Sequence, residues 1–524
     1  MRFCIVRASH LSLPTRNPVR VFILNLILVS SCASAAFPAV VGGDEVSRLI
    51  RQAAKLVRAN SYPEAEETLR RAVELSGGRS DAKLDLAFVL TKRRKLLEAY
   101  DLSFEVAKAE PNNARAYSVL GTTLLTAGKF REARIVLMNA IKLSRKEHLA
   151  WAGFGLLDFY ENKIDASFSN LREAVTYAPR EPDYLFALGQ VAARGERYTL
   201  AADAYQQFLK VSNVTDKDRR DRIKGLITFL RYLGENDDLY STGGRDRTTV
   251  PFDLVGDRPV VNIRINGKAE PLRFVLDTGS GISVLSEDTA KRLKIKPITK
   301  GGYARGLGGD GRFPIVYGFI RQVELGDIKL KSVPVYIRKF HNDAQNVDGY
   351  IGLSLISKFL ATIDYGAKTF SLTRKSEDTR SFNDRIGTAL PLRLTSSGFL
   401  SGEVELEGME SSLNFIVDTG ASVSVISESV AKSDAVSPFL NVEKLRVIGS
   451  AGITDAASTF SLPRLTFGTH TRRDIMAVAL DLDLINEASG FEQSGILGGN
   501  FLKSYRLTFD FKNSKVIFVP VRSD

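Results

Sequence analysis

A duplicated tripeptide, Asp-Thr-Gly, constrains the fold of this 524-residue chain more than any other feature. It stands at Asp277-Thr278-Gly279 and again at Asp418-Thr419-Gly420, and in both places one apolar run precedes it and another follows it. Each copy therefore predicts a strand, a tight turn that carries a carboxylate, and a second strand. One such turn would be an ordinary surface loop, but two in matching frames indicate a pair of carboxylates that meet across a pseudo-twofold axis.

The duplication extends beyond the two turns. Gly349-Tyr350-Ile351-Gly352 follows the first turn, and Gly495-Ile496-Leu497-Gly498 follows the second. Further on, Thr-Ile-Asp-Tyr at 362–365 corresponds to Thr-Phe-Asp-Phe at 508–511. Short apolar runs interrupted by glycine separate these motifs, and this pattern is typical of strands and turns rather than of helices. The sequence therefore predicts two related all-β lobes.

Paired carboxylates have a specific chemistry. Two carboxyl groups a few ångströms apart cannot both ionise readily, so the pKa of one rises, that of the other falls, and the pair shares a proton. The charged member can take a proton from water while the neutral member donates one to a substrate carbonyl. Gly279 and Gly420 would allow the two backbones to approach closely. The pattern therefore predicts catalytic roles for Asp277 and Asp418.

These paired motifs resemble those of the retropepsin-like aspartic proteases, with both lobes on one chain as in the pepsin-like enzymes. The resemblance implies an aspartic endopeptidase that needs no cofactor and no metal, and in which Asp277 and Asp418 activate one water. It also implies that Thr278 and Thr419 tie the two turns together. Two alternatives stay open: a duplicated β-barrel whose aspartates only cap turns, and a non-catalytic peptide-binding scaffold with a protease-like fold. The intact state of both motifs favours the enzyme.

The same resemblance implies a glycine-rich hairpin flap above the substrate in each lobe. In each lobe a segment that contains glycine follows the aspartate, and the number of residues between the aspartate and this segment is similar in the two lobes. The candidate tip residues are Gly306, Leu307, Gly308 and Gly309 in the first lobe, and Gly449, Ser450, Ala451 and Gly452 in the second. Plain hairpin turns are the alternative interpretation.

One difference between the two turns predicts unequal aspartates. Ser280 follows the first turn, whereas Ala421, which has no hydroxyl group, follows the second. In pepsin-like enzymes a hydroxyl at this position bonds the outer carboxylate oxygen. Such a bond stabilises the ionised form and lowers the pKa. We therefore expect Asp277 to be the charged member more often, and Asp418 to hold the proton.

The N-terminal half has a different period. Residues at every thirty-fourth position match, and this period and pattern resemble tetratricopeptide repeats. One set of matching positions holds small residues, where two helices must approach closely, and another holds bulky residues, where a helix pair buries its face. The first set is Ala65, Ala99, Ala133, Ser167 and Ala201, and the second is Tyr62, Leu96, Phe130, Ile164 and Tyr198. Stacks of this kind present a concave surface that holds peptides or partner proteins; a spacer or an oligomerisation platform is the alternative.

The predicted fold is therefore multidomain, an all-α tetratricopeptide solenoid followed by an all-β bilobed acid-protease pseudo-dimer. Residues 1–36 are predicted to be a signal peptide, 46–235 five repeats with a capping helix, 236–249 a linker, 250–380 the first lobe and 385–524 the second.

The leader predicts export. Arginines precede a short apolar run, Val21–Val29, which small residues follow, as in secretory signals. Ala33-Ser34-Ala35 fits ordinary signal cleavage, whereas the residues before Cys32 resemble a bacterial lipobox, in which Cys32 would be lipidated. We expect a bacterial protein of the periplasm or the extracellular space, either soluble or anchored as a lipoprotein.

Composition excludes several function classes. Cys4 and Cys32 are the two cysteines, so the mature domains lack a disulfide and a cysteine metal site. The four histidines include no pair at metal-binding spacing, which argues against a metalloprotease. The net charge of +12 lies partly in the leader, and no interleaved aromatics accompany the basic runs. We expect a protein or peptide substrate and a protein partner on the repeats, no nucleic acid, and membrane contact only through an N-terminal lipid.

Overall fold

The computed structural model describes residues 41–236, 238–341, 346–375 and 387–521. The predicted signal peptide and Cys32 lie outside these residues. Within them the chain forms eleven consecutive helices and then a region rich in strands. No helix in the described ranges has both the length and the apolar character needed to cross a membrane.

Eleven helices build the N-terminal domain as five antiparallel pairs and a final helix. They are α1 (Val41–Arg58), α2 (Tyr62–Leu75), α3 (Ser80–Lys92), α4 (Leu96–Ala109), α5 (Ala114–Thr126), α6 (Phe130–Leu143), α7 (His148–Tyr160), α8 (Ile164–Tyr177), α9 (Pro182–Arg194), α10 (Tyr198–Val211) and α11 (Lys217–Gly234). The alanines Ala65, Ala99, Ala133 and Ala201 are all 0% exposed, because the paired helices meet there. The predicted repeat array is confirmed.

The superhelix of this array brings distant repeats together. Lys92, at the end of α3, places its Nζ 2.7 Å from Oδ2 of Asp183 in α9. Arg219 of α11 lies 3.2 Å from the other carboxylate oxygen of Asp183. An ion cluster therefore joins the second repeat to the fifth and to the final helix.

The first lobe begins earlier than predicted. Its elements are β1 (Thr242–Gly244), β2 (Arg247–Val255), β3 (Arg258–Ile265), β4 (Leu272–Leu276), β5 (Val284–Ser286), α12 (Glu287–Arg292), β6 (Thr299–Arg305), β7 (Arg312–Leu325), β8 (Ile328–Arg338), β9 (Gly349–Ile351), α13 (Leu353–Ile356), β10 (Phe359–Asp364) and β11 (Thr369–Arg374). The predicted linker, 236–249, was therefore too long, because β1 pairs with β8 and β2 pairs with β11 and β3. Main-chain pairing made strands of residues whose polar side chains are typical of a loop.

The second lobe repeats the central motif of the first. Its elements are β12 (Thr388–Pro391), β13 (Arg393–Leu394), β14 (Leu400–Leu406), β15 (Leu413–Val417), β16 (Ser424–Ser427), α14 (Glu428–Ala431), β17 (Leu440–Ile448), β18 (Ile453–Leu462), β19 (Leu465–Phe467), β20 (His470–Arg472), β21 (Ile475–Leu480), α15 (Asp483–Ser489), β22 (Gly495–Leu497), α16 (Gly499–Leu502), β23 (Tyr505–Asp510) and β24 (Lys515–Pro520). In the first lobe β9 lies between β4 and β5, and in the second β22 lies between β15 and β16 in the same way.

A shared sheet joins the two lobes. Its strand order is β12-β24-β23-β10-β11-β2, so it contains strands from both halves of the duplication. At the pairing of β10 with β23, Thr362 lies opposite Thr508, and their Oγ1 atoms are 3.0 Å apart. The corresponding motifs found in the sequence therefore meet at the pseudo-twofold axis.

The helical array packs against both lobes. Phe130 and Tyr160 pack on the buried Phe491 of the second lobe, with ring centroids 4.9 and 5.0 Å away. On the first lobe, Phe229 of α11 stacks on Tyr317 of β7 at 4.4 Å. Aromatic contacts of this kind bury large apolar areas. The array is thus held in a fixed position, which decides what lines the cleft between the lobes.

Candidate active site

Each Asp-Thr-Gly turn is held by hydrogen bonds to a neighbouring strand, which is β9 in the first lobe and β22 in the second. The backbone N–H of Asp277 donates to the carbonyl of Ile351 in β9, and that of Asp418 to the carbonyl of Leu497 in β22, both at 3.0 Å. The two motifs that follow the turns in the sequence, at 349–352 and 495–498, therefore position the two carboxylates. In turn, Oδ1 of each aspartate accepts a hydrogen bond from the glycine two residues later, at 2.9 Å in the first turn and 2.7 Å in the second.

The two glycines are required by space. A Cβ atom at Gly279 would overlap the carboxyl group of Asp418, and one at Gly420 would overlap that of Asp277. Neither glycine has a positive φ, so an ordinary residue could adopt the backbone conformation. Their role is the close approach of the two turns, which brings the carboxylates together.

Reciprocal hydrogen bonds connect the turns beneath the carboxylates. The hydroxyl of Thr278 donates to the carbonyl of Val417 at 2.6 Å and accepts from the N–H of Thr419 at 3.0 Å. The hydroxyl of Thr419 donates to the carbonyl of Leu276 at 2.7 Å and accepts from the N–H of Thr278 at 3.1 Å. Both threonines are 0% exposed. The four bonds fix the two halves in one geometry.

The environment makes the two aspartates unequal. Burial, the neighbouring charge of Asp418 and a hydrogen bond to it raise the pKa of Asp277 well above its usual range. Burial also raises the pKa of Asp418, but the N–H groups of Gly420, Ala421 and Gly279 and the bond from Asp277 oppose this effect. Hydrogen bonds to an ionised carboxylate favour the ionised form. The pKa of Asp277 is therefore raised further than that of Asp418, which favours Asp277 as the member that holds the shared proton.

This assignment is the reverse of the one predicted from Ser280. The hydroxyl of Ser280 donates to the carbonyl of Ile282 at 2.7 Å, so its single proton is not available to Asp277. Serine side chains commonly bond the backbone of their own turn in this way. The predicted hydrogen bond from the Ser280 hydroxyl to an ionised Asp277 was therefore wrong. The backbone N–H of Ala421, not its side chain, acts on Asp418 instead.

The predicted flap residues lie at the tips of two hairpins that meet each other. Residues 306–311 connect β6 to β7, and residues 449–452 connect β17 to β18. The N–H of Ala451 donates to the carbonyl of Leu307 at 2.8 Å, and the N–H of Gly309 donates to the carbonyl of Ile453 at 3.3 Å. Gly308 and Gly309 have positive φ values of 83° and 57°, which glycine adopts without strain.

Arg338 is a site residue that the sequence did not indicate. It ends β8, donates from Nη1 to the carbonyl of Ser450 in the opposite tip at 3.0 Å, and lies over the ring of Phe313. Its charge acts to lower the pKa of Asp277, against the larger effect of burial. No motif could have revealed it, because it is one of 72 basic residues and only the tertiary fold brings it near the pair.

A cavity of about 1280 Å³ contains both aspartates and both hairpin tips. Its wall also includes residues of the helical array, among them Asp183, Tyr205 and Arg222. The sequence placed these residues in a separate domain, so their presence beside the paired carboxylates was not predicted. Within the described ranges, no group of three or more His, Cys, Asp or Glu side chains could hold a metal ion.

Comparisons with known proteins agree with both halves of this architecture. An aspartyl protease family model matches residues 261–355 and 402–501, and each segment contains one of the turns. Tetratricopeptide repeat models match residues 114–147 and 153–213. The chain is a fusion of tetratricopeptide repeats with an aspartyl-protease-like domain, and both the predicted resemblance and the predicted fold class are confirmed.

Similar solved structures include one for each half. An aspartic proteinase from Irpex lacteus is 16% identical, with 52% of this chain and 97% of that chain covered and a TM-score of 0.35. A thermophilic tetratricopeptide-repeat protein from Thermus thermophilus is 18% identical, with 36% of this chain and 100% of that chain covered and a TM-score of 0.30. A comparison with curated proteins gives no match.

Proposed function

We propose that the chain is an aspartic endopeptidase. The observation that carries this proposal is the pair of half-buried, hydrogen-bonded carboxylates with raised pKa values, in a cavity large enough for a peptide segment. An ion pair that only stabilises a fold joins groups of opposite charge, whereas here two carboxyl groups lie next to each other. Pairs of titratable groups with strongly perturbed pKa values are typical of catalytic sites.

The roles of the two carboxylates follow from their protonation states. Asp418, the charged member, takes a proton from a water as the water oxygen attacks the peptide carbonyl carbon. Asp277, the neutral member, donates its proton to the carbonyl oxygen, so the tetrahedral intermediate carries no full negative charge. Collapse of this intermediate breaks the C–N bond: the leaving nitrogen takes the proton that Asp418 took from the water, and Asp277 regains a proton from a hydroxyl group of the intermediate. The pair finishes with one proton and is ready for a second cycle.

The substrate lies between the pair and the hairpin tips. An extended peptide adds as a strand to neighbouring hairpins through main-chain hydrogen bonds, which depend little on its sequence. Two hydrogen bonds join the tips to each other, so these bonds must break before a peptide can enter from that side. Opening of such elements is a common step in enzyme cycles.

Incubation of the purified chain with an unfolded protein between about pH 3 and pH 7, with products identified by mass spectrometry, tests this function. Asp277→Asn and Asp418→Asn should each remove nearly all cleavage, because a shared-proton pair fails when either member is lost. Asp434→Asn, an exposed position in the second lobe, is the matched control and should cut like the parent. Substantial turnover by either catalytic variant would refute the mechanism. Peptide binding without any cleavage by the parent would favour the scaffold alternative.

We also propose that the chain is exported, which rests on the leader sequence alone. Cleavage after Ala35 would give a mature protein that begins at Ala36, whereas lipidation at Cys32 would anchor the protein firmly through several acyl chains. Intact-mass measurement of the protein from its native host distinguishes the two forms. A mature chain that begins at Ala36 without lipid eliminates anchoring, and a Cys32→Ser variant that stays in the membrane fraction would do the same.

A further inference from the structure

Four polar side chains in the cavity take no part in the mechanism above. They are Tyr205 of α10, Arg222 of α11, Tyr317 of β7 and Tyr336 of β8. Two come from the helical array and two come from the first lobe. The group therefore exists only because the array is packed against the lobe.

Close packing of α11 on β6 positions Arg222. A Cβ atom at Gly225 would overlap the carbonyl of Lys300, and one at Gly302 would lie 3.1 Å from the backbone nitrogen of Arg222. A Cβ atom at the adjacent Gly301 would lie 3.1 Å from the hydroxyl oxygen of Tyr317. The Gly301-Gly302 pair thus leaves space for the tyrosine ring on one side and for the helix on the other. Arg222 and the Tyr317 hydroxyl are thereby brought to the same region of the wall.

Within the described chain, Arg222 lacks the acidic partner that Arg219 and Arg231 of the same helix have. On the same helix, Arg219 lies 3.2 Å from Asp183 and Arg231 lies 3.2 Å from Asp203. By contrast, no carboxylate of the residues that the structure describes lies within 4.0 Å of the Arg222 guanidinium. A half-buried guanidinium without a counter-charge is a favourable place for an anion.

The three tyrosines add hydrogen-bond donors around this charge. Tyr205 and Tyr317 are each 2% exposed, and the rings of Tyr317 and Tyr336 pack with centroids 5.5 Å apart. Burial raises the pKa of all three hydroxyls, and the charge of Arg222 opposes this effect on each of them. They therefore stay protonated and able to donate. Within the described parts of the chain, none of the three hydroxyls donates to another residue.

We propose that Arg222, Tyr205, Tyr317 and Tyr336 form a carboxylate-binding subsite that holds an acidic group of the peptide in the catalytic cavity. A guanidinium and phenol hydroxyls are all donors, and a carboxylate is an acceptor that takes several such bonds at once. The inference rests on the proposed function, since it names the substrate class of that site. The carboxylate comes either from the C-terminus of the peptide or from an Asp or Glu side chain. The two sources share one chemistry and are separated by experiment.

Binding measured apart from cleavage tests the subsite. Isothermal titration calorimetry on the full chain carrying Asp277→Asn would use a ten-residue peptide of alanine, leucine and phenylalanine. The peptide is made with a free C-terminus, with an amidated C-terminus, and amidated with one Glu or one Gln at successive positions. A carboxylate-bearing peptide should bind at least about tenfold more tightly than its neutral counterpart, as expected for a charge-assisted hydrogen bond. An advantage of the free C-terminus identifies a terminal carboxylate, and an advantage of Glu over Gln identifies a side chain.

Variants assign the effect to these residues. Arg222→Met should remove the preference, Arg222→Lys should retain part of it, and Tyr336→Phe, which keeps the ring, should reduce it. Arg172→Met, on an exposed face of α8, is the matched control and should leave the preference unchanged. Tyr336→Phe also decides the matter if Arg222→Met does not fold. The inference is overturned if charged and neutral peptides bind equally, if no carboxylate peptide binds, or if the preference is undiminished in Arg222→Met or in Tyr336→Phe.

Cleavage measured separately, with Asp277 intact, keeps the two proposals distinguishable. A preference for carboxylate peptides without cleavage would overturn the endopeptidase and leave the subsite standing. Cleavage of charged and neutral peptides with equal kcat/KM, together with equal binding, would overturn the subsite and leave the endopeptidase standing.

Discussion

The reciprocal threonine bonds beneath the carboxylates make a quantitative prediction about the joint between the lobes. Replacing Thr278 by valine keeps the shape of the side chain and removes its hydroxyl. The carbonyl of Val417 then loses a donor at 2.6 Å, and the N–H of Thr419 loses an acceptor at 3.0 Å, in a region that excludes water. Leaving one buried polar group without a partner costs about 1–3 kcal/mol. Two such groups give an expected loss of about 2–6 kcal/mol.

Hydrogen exchange measures this loss where it occurs. A local loss of about 2 kcal/mol accelerates exchange by roughly thirtyfold. Mass spectrometry should therefore show at least that acceleration in the peptide that contains Leu413–Val417 and the second turn. Thr278→Ser, which keeps the hydroxyl, is the control and should exchange much more slowly than the valine variant. Thr419→Val should produce the mirror-image effect on Leu272–Leu276 and the first turn.

The outcome that would refute this reasoning is simple to recognise. If Thr278→Val accelerates exchange by less than about fivefold, or if the serine and valine variants exchange alike, the hydroxyl does not connect the turns. A double variant with both threonines replaced should lose less than the sum of the two single losses, because the two hydroxyls belong to one network. Strict additivity would show that each threonine acts only within its own lobe.

Three further predictions follow from the site and from the packing of the array. Burial raises the pKa of Asp277, so the folded chain loses stability as pH rises from the pKa of the unfolded carboxyl to that of the folded one, by about 1.4 kcal/mol for each pH unit. Asp277→Asn should therefore raise the Tm at pH 7, and this advantage should shrink toward pH 3. An equal Tm of the two proteins at pH 7 would contradict this. Ser280→Ala should leave the acidic limb of the pH–activity profile where it is, because the hydroxyl bonds Ile282, and a shifted limb would show that it reaches the pair. A chain that begins at Asp238 uncovers Phe491 and Tyr317, so it should show a lower Tm or aggregate in size-exclusion chromatography; an unchanged Tm would mean that the array contributes nothing to the stability of the lobes.

The sequence predicted those features that repeat. Duplicated motifs place Asp277 and Asp418 in matching turns, and the small residues at matching positions predict close helix pairs, because in both cases one physical requirement recurs at a fixed spacing. The direction of the Ser280 hydroxyl could not be predicted, since a serine can bond its own turn or a neighbour and the choice depends on local geometry. Arg222 and Arg338 were missed for a different reason. Each belongs to a segment without a motif. Packing of the array on the first lobe brings Arg222 to the cavity, whereas pairing of β8 with β5 inside that lobe positions Arg338.

The ion cluster of Lys92, Asp183 and Arg219 has a mechanical consequence. In most repeat solenoids each repeat contacts only its neighbours, so no contact restrains the distance between repeats that are far apart in the array. Here an ion pair joins the second repeat to the fifth, so this pair opposes uncoiling of the repeats between them. The charge of Lys92 holds the pKa of Asp183 far below its usual range, so Asp183 stays ionised and this cross-link persists at acidic pH.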